Sequence, residues 1–137
     1  MENRGDELRL AVMRLARRMR QERANGDVTD SQLSVLFIVS KEGPHTISDL
    51  SEIERVTPPS INRTVNQLAE FGLVVRSSSP DDGRVVLVTA TETGRTLVQE
   101  TRRRRAAWLA SRVAELTPEQ QELLHASAPI LAELADS

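Results

Sequence analysis

The sequence predicts a mainly α-helical protein with one small β-hairpin. The first observation is an apolar seam at helical spacing near the start of the chain, formed by Leu8, Val12, Leu15 and Met19. The second is a set of helix-opening Thr-x-x-Gln or Thr-x-x-Glu motifs, which begin at Thr29, Thr89 and Thr117. The third is an apolar, mostly β-branched run, residues 85–88, which follows a segment rich in turn-forming residues.

Four helices are expected before the hairpin. They are residues 6–24, a helix capped by Thr29 that contains the apolar run 33–39, a short helix from 46 through 54, and residues 57–71. The segment Asn25-Gly26-Asp27 is expected to end the first helix, because glycine suits the left-handed stop. The apolar run alone fits a strand as well as a helix, and its capping box decides for the helix.

The hairpin and two further helices complete the chain. The hairpin consists of predicted strands 73–77 and 84–89, joined by a polar tip at 78–83. A capping box from Thr89 to Glu92 is expected to open a helix through 116, and Thr117 opens the last helix. Pro129 lies inside that last helix, so a kink or break is expected there.

Composition excludes several classes of site. The chain of 137 residues has the length of one domain, and it contains no cysteine for a disulfide, a thiolate metal site or a nucleophile. His45 and His125 are 80 positions apart, which leaves little for a histidine metal cluster or a Ser-His-Asp site. Residues 1–6 show no apolar stretch behind a basic start, so we expect no secretory signal, and no apolar run approaches the ~20 residues that cross a bilayer. We expect a cytoplasmic protein without catalytic activity, cofactor, metal or membrane contact.

Charge is unevenly distributed along the chain. The formal net charge is −2, yet residues 55–105 carry nine arginines against five acidic residues. Arginine forms planar bidentate contacts with phosphates and guanine edges. The positive segment therefore favours nucleic acid as a partner.

Three helices with a turn before the third, followed by a hairpin, are the winged helix-turn-helix arrangement. In that arrangement the helix after the turn enters the major groove of DNA. The spacing of Ile61, Val65 and Leu68 predicts the core-facing side of helix 57–71. An ordinary solvated helix would show Glu/Lys pairs at i, i+4, whereas the opposite, outward side of this helix is rich in Asn, Arg and Ser. The side chains proposed to contact double-stranded DNA from this helix are Thr57, Ser60, Asn62, Arg63 and Asn66.

Two arginines flank the tip of the hairpin. We expect Arg76 and Arg84 to contact DNA, with Arg84 in the narrow minor groove, where the negative potential is strongest. Asp82 would be repelled by DNA, so its expected role is to order the turn or orient an arginine. The simpler interpretation is that residues 80–83 form a good turn, and this can be true together with either role.

In these segments the sequence resembles the MarR family, the multiple-antibiotic-resistance regulators. The matching segments are Ile47-Ser48-Asp49-Leu50, Asn62-Arg63, Gly72-Leu73-Val74-Val75-Arg76, Pro80-Asp81-Asp82-Gly83-Arg84, Val86-Leu87-Val88-Thr89 and Gly94-Arg95. The resemblance implies a homodimeric transcription factor on a palindromic operator, with Arg84 in the minor groove and the terminal helices at the dimer interface. Many members release DNA on binding a small, often phenolic or anionic, molecule. Asn62 stands where threonine is usual in the family.

The resulting architecture is a single MarR-type domain over 1–137. The winged helix-turn-helix spans about 29–90, and the dimerisation helices span about 6–24 and 92–135. A two-fold dimer would bury the apolar seam of the first helix, whereas a monomer would have to fold these helices back onto its own core. For function, a dimeric repressor is favoured over a winged-helix protein-interaction module without a specific DNA target.

The arginine run 102–105 points all round its helix, because successive residues advance by about 100°. At least one of the four is therefore expected to face the protein. A solvated helix, phosphate contacts, salt bridges to a partner chain and an anionic ligand site all remain open for the others.

Overall fold

The computed structural model describes residues 3–137, so the first two residues of the predicted domain lie outside the described part. Within it there are six helices and a small antiparallel sheet, which confirms the predicted mainly helical fold with a hairpin wing. The elements are α1 (Arg4–Arg20), α2 (Asp30–Glu42), β1 (His45–Thr46), α3 (Ile47–Glu54), α4 (Pro58–Glu70), β2 (Val74–Ser78), β3 (Val86–Ala90), α5 (Glu92–Val113) and α6 (Pro118–Ala135).

Helix α1 ends at Arg20, four residues earlier than the sequence predicted. The segment that follows it has other partners. The backbone N–H of Ala24 donates to the hydroxyl of Thr101 at 3.3 Å, and Arg23 forms an ion pair with Asp30 at 2.8 Å. Because these contacts hold the segment outside a helix, Gly26 does not act as the helix stop.

Two capping boxes begin the helices on either side of β1. At the start of α2, the Thr29 hydroxyl accepts from the N–H of Gln32, whose side chain accepts from the N–H of Thr29. Thr46 and Asp49 make the equivalent pair of bonds at the start of α3. Each box satisfies backbone donors that the first turn of a helix leaves free.

The sheet has a third strand that the sequence analysis did not predict. Its order is β1-β3-β2, and His45 and Thr46 pair with Val88 and Leu87 of β3. His45 is buried, and its Nδ1 lies 2.7 Å from the carbonyl oxygen of Gly43. A two-residue strand carries no alternation pattern of its own, so it depends on the register of its partner.

Helix α5 is capped by Thr91, not by the predicted box at Thr89, which lies in β3. The Thr91 hydroxyl accepts from the N–H of Gly94 at 3.1 Å and donates to the carbonyl of Gly72 at 2.7 Å. Gly94 itself packs against backbone, since a Cβ at that position would lie 2.1 Å from the carbonyl oxygen of Leu73. The start of α5 is thus attached to the chain that joins α4 and β2.

The last two helices differ slightly from the prediction. Helix α5 ends at Val113, three residues before the expected end at 116. The cap at Thr117 is confirmed, and α6 continues through Pro129 to Ala135 as one helix. The expected break at Pro129 is therefore absent.

The chain divides into two compact units, one of residues 23–103 and one of the residues up to 22 together with 104–137. Among the described residues, all the buried apolar side chains belong to the unit 23–103: Val28, Leu33, Val35, Leu36, Val39, Leu50, Ile61, Val65, Leu68, Leu73, Val74, Val88, Ala90 and Val98. None of the helices in the described part of the chain is both long enough and apolar enough to span a bilayer.

Candidate nucleic-acid interface

Helix α4 presents one face to the core and the opposite face to solvent. Ile61, Val65 and Leu68 are buried, as their spacing predicted. At the start of the helix the Thr57 hydroxyl accepts from the N–H of Ser60, and Pro58 occupies the first helical position, where no N–H is needed. The cap and the apolar face together fix which side chains point outward.

The turn between α3 and α4 sets the direction in which α4 leaves the core. Arg55 ends α3 in the left-handed conformation, with φ of 56°. Ser51 then makes two bonds to Val56, since its carbonyl accepts from the Val56 N–H at 3.2 Å and its hydroxyl donates to the Val56 carbonyl. These bonds fold the chain back within three residues, so α4 begins at a defined angle to α3.

A pair of amide side chains joins α2 to α4. The Nε2 of Gln32 donates to the Oε1 of Gln67 at 2.8 Å, while the N–H of Thr29 holds the Oε1 of Gln32 at 2.9 Å. Sequence reasoning missed this contact. The capping box was a signal for Gln32, but nothing near Gln67 in the sequence identifies its partner 35 residues earlier.

Two of the α4 side chains predicted to contact DNA are exposed and make no hydrogen bond within the described residues. Arg63 and Asn66 are exposed, and neither side chain makes a hydrogen bond within residues 3–137. They are three residues apart and therefore neighbours on the helix surface. Thr57 is exposed but its hydroxyl serves as the cap, and Ser60 is half-buried with its carbonyl accepting from the hydroxyl of Thr64 at 3.2 Å.

Asn62 differs from these two because its amide is already engaged. Its Nδ2 donates to the carbonyl of Pro58 at 3.2 Å, and its Oδ1 accepts from Nη2 of Arg76 at 3.2 Å. The same Nη2 lies 3.4 Å from the backbone carbonyl of Asn62. The structure thus brings together two residues that were predicted to contact DNA, Asn62 of α4 and Arg76 of β2.

The wing consists of β2, β3 and the tip between them, residues 79–85. The Asp82 carboxylate accepts from the backbone N–H of Arg84 at 3.0 Å and lies 3.3 Å from the Nε of the same residue. The Arg84 side chain is 92% exposed and that of Asp82 is 44% exposed. Asp82 therefore contacts both the backbone and the guanidinium of the arginine that was expected to enter the minor groove.

The arginine run on α5 separates into different environments. Arg105 donates to the carbonyls of Glu22 and Arg20 at the end of α1, at 3.0 and 3.3 Å. Arg102 lies over the ring of Phe37, 5.4 Å from its centre, and Arg103 and Arg104 are exposed. The expectation that at least one of the four faces the protein is confirmed by Arg105.

Sequence comparisons identify relatives of the chain. The profile of the MarR family matches residues 28–86. An HTH-type transcriptional regulator of Mycobacterium bovis is 42% identical over 130 residues, covering 95% of this chain and 91% of the relative. The HTH-type transcriptional repressor MdtR of Bacillus subtilis is 31% identical over 110 residues, covering 80% of this chain and 69% of the relative.

A solved structure has the same fold. A transcriptional regulator of Pseudomonas aeruginosa superimposes with a TM-score of 0.86 at 31% identity, over 97% of this chain and 94% of the other. These relatives are named as transcriptional regulators and not as enzymes. With its winged helix-turn-helix, its matching segments and these relatives, the chain belongs to the MarR family of DNA-binding transcriptional regulators.

Proposed function

We propose that this protein is a homodimeric repressor that binds a palindromic operator in the cytoplasm. In this proposal α4 lies in the major groove of each half-site and Arg84 enters the adjacent minor groove. The winged part, about 29–90, contacts DNA, and helices within about 6–24 and 92–135 form the dimer. The repressing role is supported by the name of one relative, the repressor MdtR.

The observation that carries the proposal is the free pair on α4. Arg63 and Asn66 are neighbouring, exposed and without a side-chain partner within residues 3–137. Arginine reads guanine by two parallel bonds, and asparagine reads adenine in the same way. Such side chains lose no internal bond when they meet base edges, so they suit direct readout.

The dimer is supported by the exposed apolar side chains of the terminal helices. Leu8 is 53% exposed on α1, and Ile130 and Leu134 are each 60% exposed on α6. Leu8 of α1 and Leu134 of α6 also line one shared groove, and an exposed apolar surface of this kind is typical of an interface. A two-fold axis would also place two α4 helices on successive turns of DNA, about 34–36 Å apart.

Selection from a random duplex library tests this function directly. We expect an enriched sequence with two inverted half-sites, and a footprint at that sequence. Arg63→Ala and Asn66→Ala should each reduce discrimination against a shuffled duplex by about tenfold, because removing a bidentate bond to a base costs roughly 1–3 kcal/mol.

The control is Arg17→Ala, which removes an equal charge from an exposed position of α1. It should leave discrimination unchanged. If no sequence is enriched and the affinity for DNA does not fall with salt, a protein-interaction module replaces the repressor. If Arg63→Ala weakens binding to all duplexes equally, Arg63 contacts phosphates and not bases.

Repression and release are tested separately from DNA binding. Deleting the gene should raise transcription from the promoter that carries the selected site, and a fall would identify an activator. We also propose release by a small molecule, as the family resemblance implies. A phenolic carboxylate is both phenolic and anionic, the two properties that the resemblance implies for the small molecule. Its addition should lower operator occupancy.

A further inference from the structure

Asn62 and Asn66 are the same residue type, one turn apart on the same helix, in different states. Asn66 is exposed and makes no side-chain hydrogen bond within the described residues. Asn62 is half-buried, with its amide nitrogen on the carbonyl of Pro58 and its amide oxygen on Arg76. In a DNA complex we therefore expect different roles for the two asparagines, since only the amide of Asn66 is free to bond to DNA.

The geometry of Asn62 is unfavourable for base reading. An asparagine that reads adenine presents its oxygen and its nitrogen together to the base edge. At Asn62 both atoms already have partners at 3.2 Å inside the protein. Turning the amide toward a base would break both bonds and deprive the Arg76 guanidinium of its side-chain acceptor.

Arg76, in contrast, keeps most of its donors. A guanidinium has five N–H donors on three nitrogens, and the structure engages only Nη2, which contacts the Oδ1 and the backbone carbonyl of Asn62. Within residues 3–137, Nε and Nη1 have no hydrogen-bond acceptor. Both nitrogens belong to an exposed strand residue that contacts α4. Two parallel N–H groups match the oxygens of a phosphate.

We propose that Asn62 is a positioning residue, which holds the Arg76 guanidinium against α4 so that it meets a phosphate of the DNA backbone. The inference rests on the proposed DNA-binding function. Asn62 restrains the long Arg76 side chain before DNA binds, so that less conformational entropy is lost on binding. Base reading by α4 then belongs to Arg63 and Asn66, and Asn62 contributes to affinity without contributing to sequence preference.

A double-mutant cycle tests the assignment on two probes, the duplex selected from the random library and a shuffled duplex of the same composition. Asn62→Ala should weaken binding to the selected and the shuffled duplex equally, and Arg76→Ala should also affect the two duplexes equally. We expect about tenfold for Arg76→Ala, which removes a charge-assisted bond, and roughly threefold for Asn62→Ala. The double variant should bind no worse than Arg76→Ala, because Asn62 acts only through that arginine.

Salt dependence and a matched control separate the roles further. Log affinity falls as log salt rises, and Arg76→Ala should make this negative slope shallower by about 0.9 for each phosphate that the protein no longer neutralises. Asn66→Ala is the control, since it removes the same amide one turn away, and it should weaken binding to the selected duplex only. If Asn62→Ala behaves like Asn66→Ala and its effect adds to that of Arg76→Ala, Asn62 reads a base and the inference is overturned.

A measurement on the free protein makes the test independent of DNA. The ¹⁵N relaxation of the Arg76 side-chain Nε–H should show a restrained group in the wild type and a mobile one in Asn62→Ala. Asn62→Asp retains an acceptor for the guanidinium and should restore the restraint, and Asn66→Ala should not alter it. Equal mobility in the wild type and Asn62→Ala would overturn the positioning role.

The same experiments distinguish failure of the inference from failure of the proposed function. If the wild type shows neither sequence preference nor salt-dependent binding, the DNA-binding function itself fails. If the wild type binds its selected duplex specifically and the cycle is additive, only the role of Asn62 is wrong.

Discussion

The two compact units of the chain are built in different ways. The unit 23–103 contains every buried apolar side chain found in the described residues, gathered from α2, α3, α4, the sheet and the first part of α5. In the other unit, helices α1 and α6 have no buried residue at all. One unit has a core of its own, whereas α1 and α6 of the other unit leave most of their large apolar side chains exposed.

This difference fits the two roles that we propose for the chain, DNA binding and dimer formation. Helices are stabilised mainly by packing an apolar face against a partner surface. The unit 23–103 provides that surface internally, so the positions of α4 and the wing are set within one chain. Helices α1 and α6 bury none of their residues within the chain, which is why we propose that a second copy covers their exposed apolar side chains.

The largest expected effect comes from a change that disturbs the built core. Gly94→Ala places a Cβ 2.1 Å from the carbonyl oxygen of Leu73 and 3.1 Å from a methyl group of Leu36. Because the nearest atom is backbone, relief requires α5 to move away from the α4–β2 connection. We expect the free energy of unfolding in urea to fall by about 3 kcal/mol.

Gly26→Ala is the matched control for that change. Nothing lies within 4 Å of a Cβ at Gly26, so its effect should stay within about 0.5 kcal/mol. If the two alanine variants are equally stable, the contact between Gly94 and Leu73 does not hold the unit together.

The second prediction compares equally exposed apolar side chains in the two units. Leu8 is 53% exposed on α1, and Val75 is 51% exposed on β2. Leu8→Asp should convert the dimer to monomers at micromolar concentration, because it places a charge in the proposed interface. Val75→Asp should leave the mass unchanged. Sedimentation equilibrium of both variants and the wild type measures this, and a wild type with the mass of one chain would remove the dimer from the proposal.

Much of this organisation could be predicted from the sequence because it depends on local chemistry. The apolar spacing of Ile61, Val65 and Leu68 and the caps at Thr29 and Thr117 act within a few residues. They therefore predicted both the helices and the outward face of α4.

The parts that the sequence did not predict depend on distant partners. The segment after α1 has a distant partner, since the hydroxyl of Thr101 accepts from the backbone N–H of Ala24, 77 residues earlier in the chain. Thr91 caps α5 rather than Thr89 because the neighbouring strand β3 already contains Thr89. Asn62 was expected among the DNA-contacting residues, and its engagement with Arg76, 14 residues later, could be seen only after β2 was placed beside α4.

The smallest expected effect lies at the tip of the wing, where the unit 23–103 is no longer supported by its core. At the tip the Asp82 carboxylate holds the N–H of Arg84 at 3.0 Å, while the Arg84 side chain is 92% exposed. Removing a negative charge near DNA would by itself tighten binding. Removing the contact that orders Arg84 would weaken binding, because the tip must then be ordered during association.

We expect ordering to dominate, so Asp82→Ala should weaken operator binding by roughly threefold at fixed salt, with the free energy of unfolding nearly unchanged. Arg84→Ala should weaken binding more, most of all where the flanking minor groove is narrow. Tighter binding by Asp82→Ala than by the wild type would show that Asp82 is only a turn residue, and that the wing tip needs no ordering contact of its own.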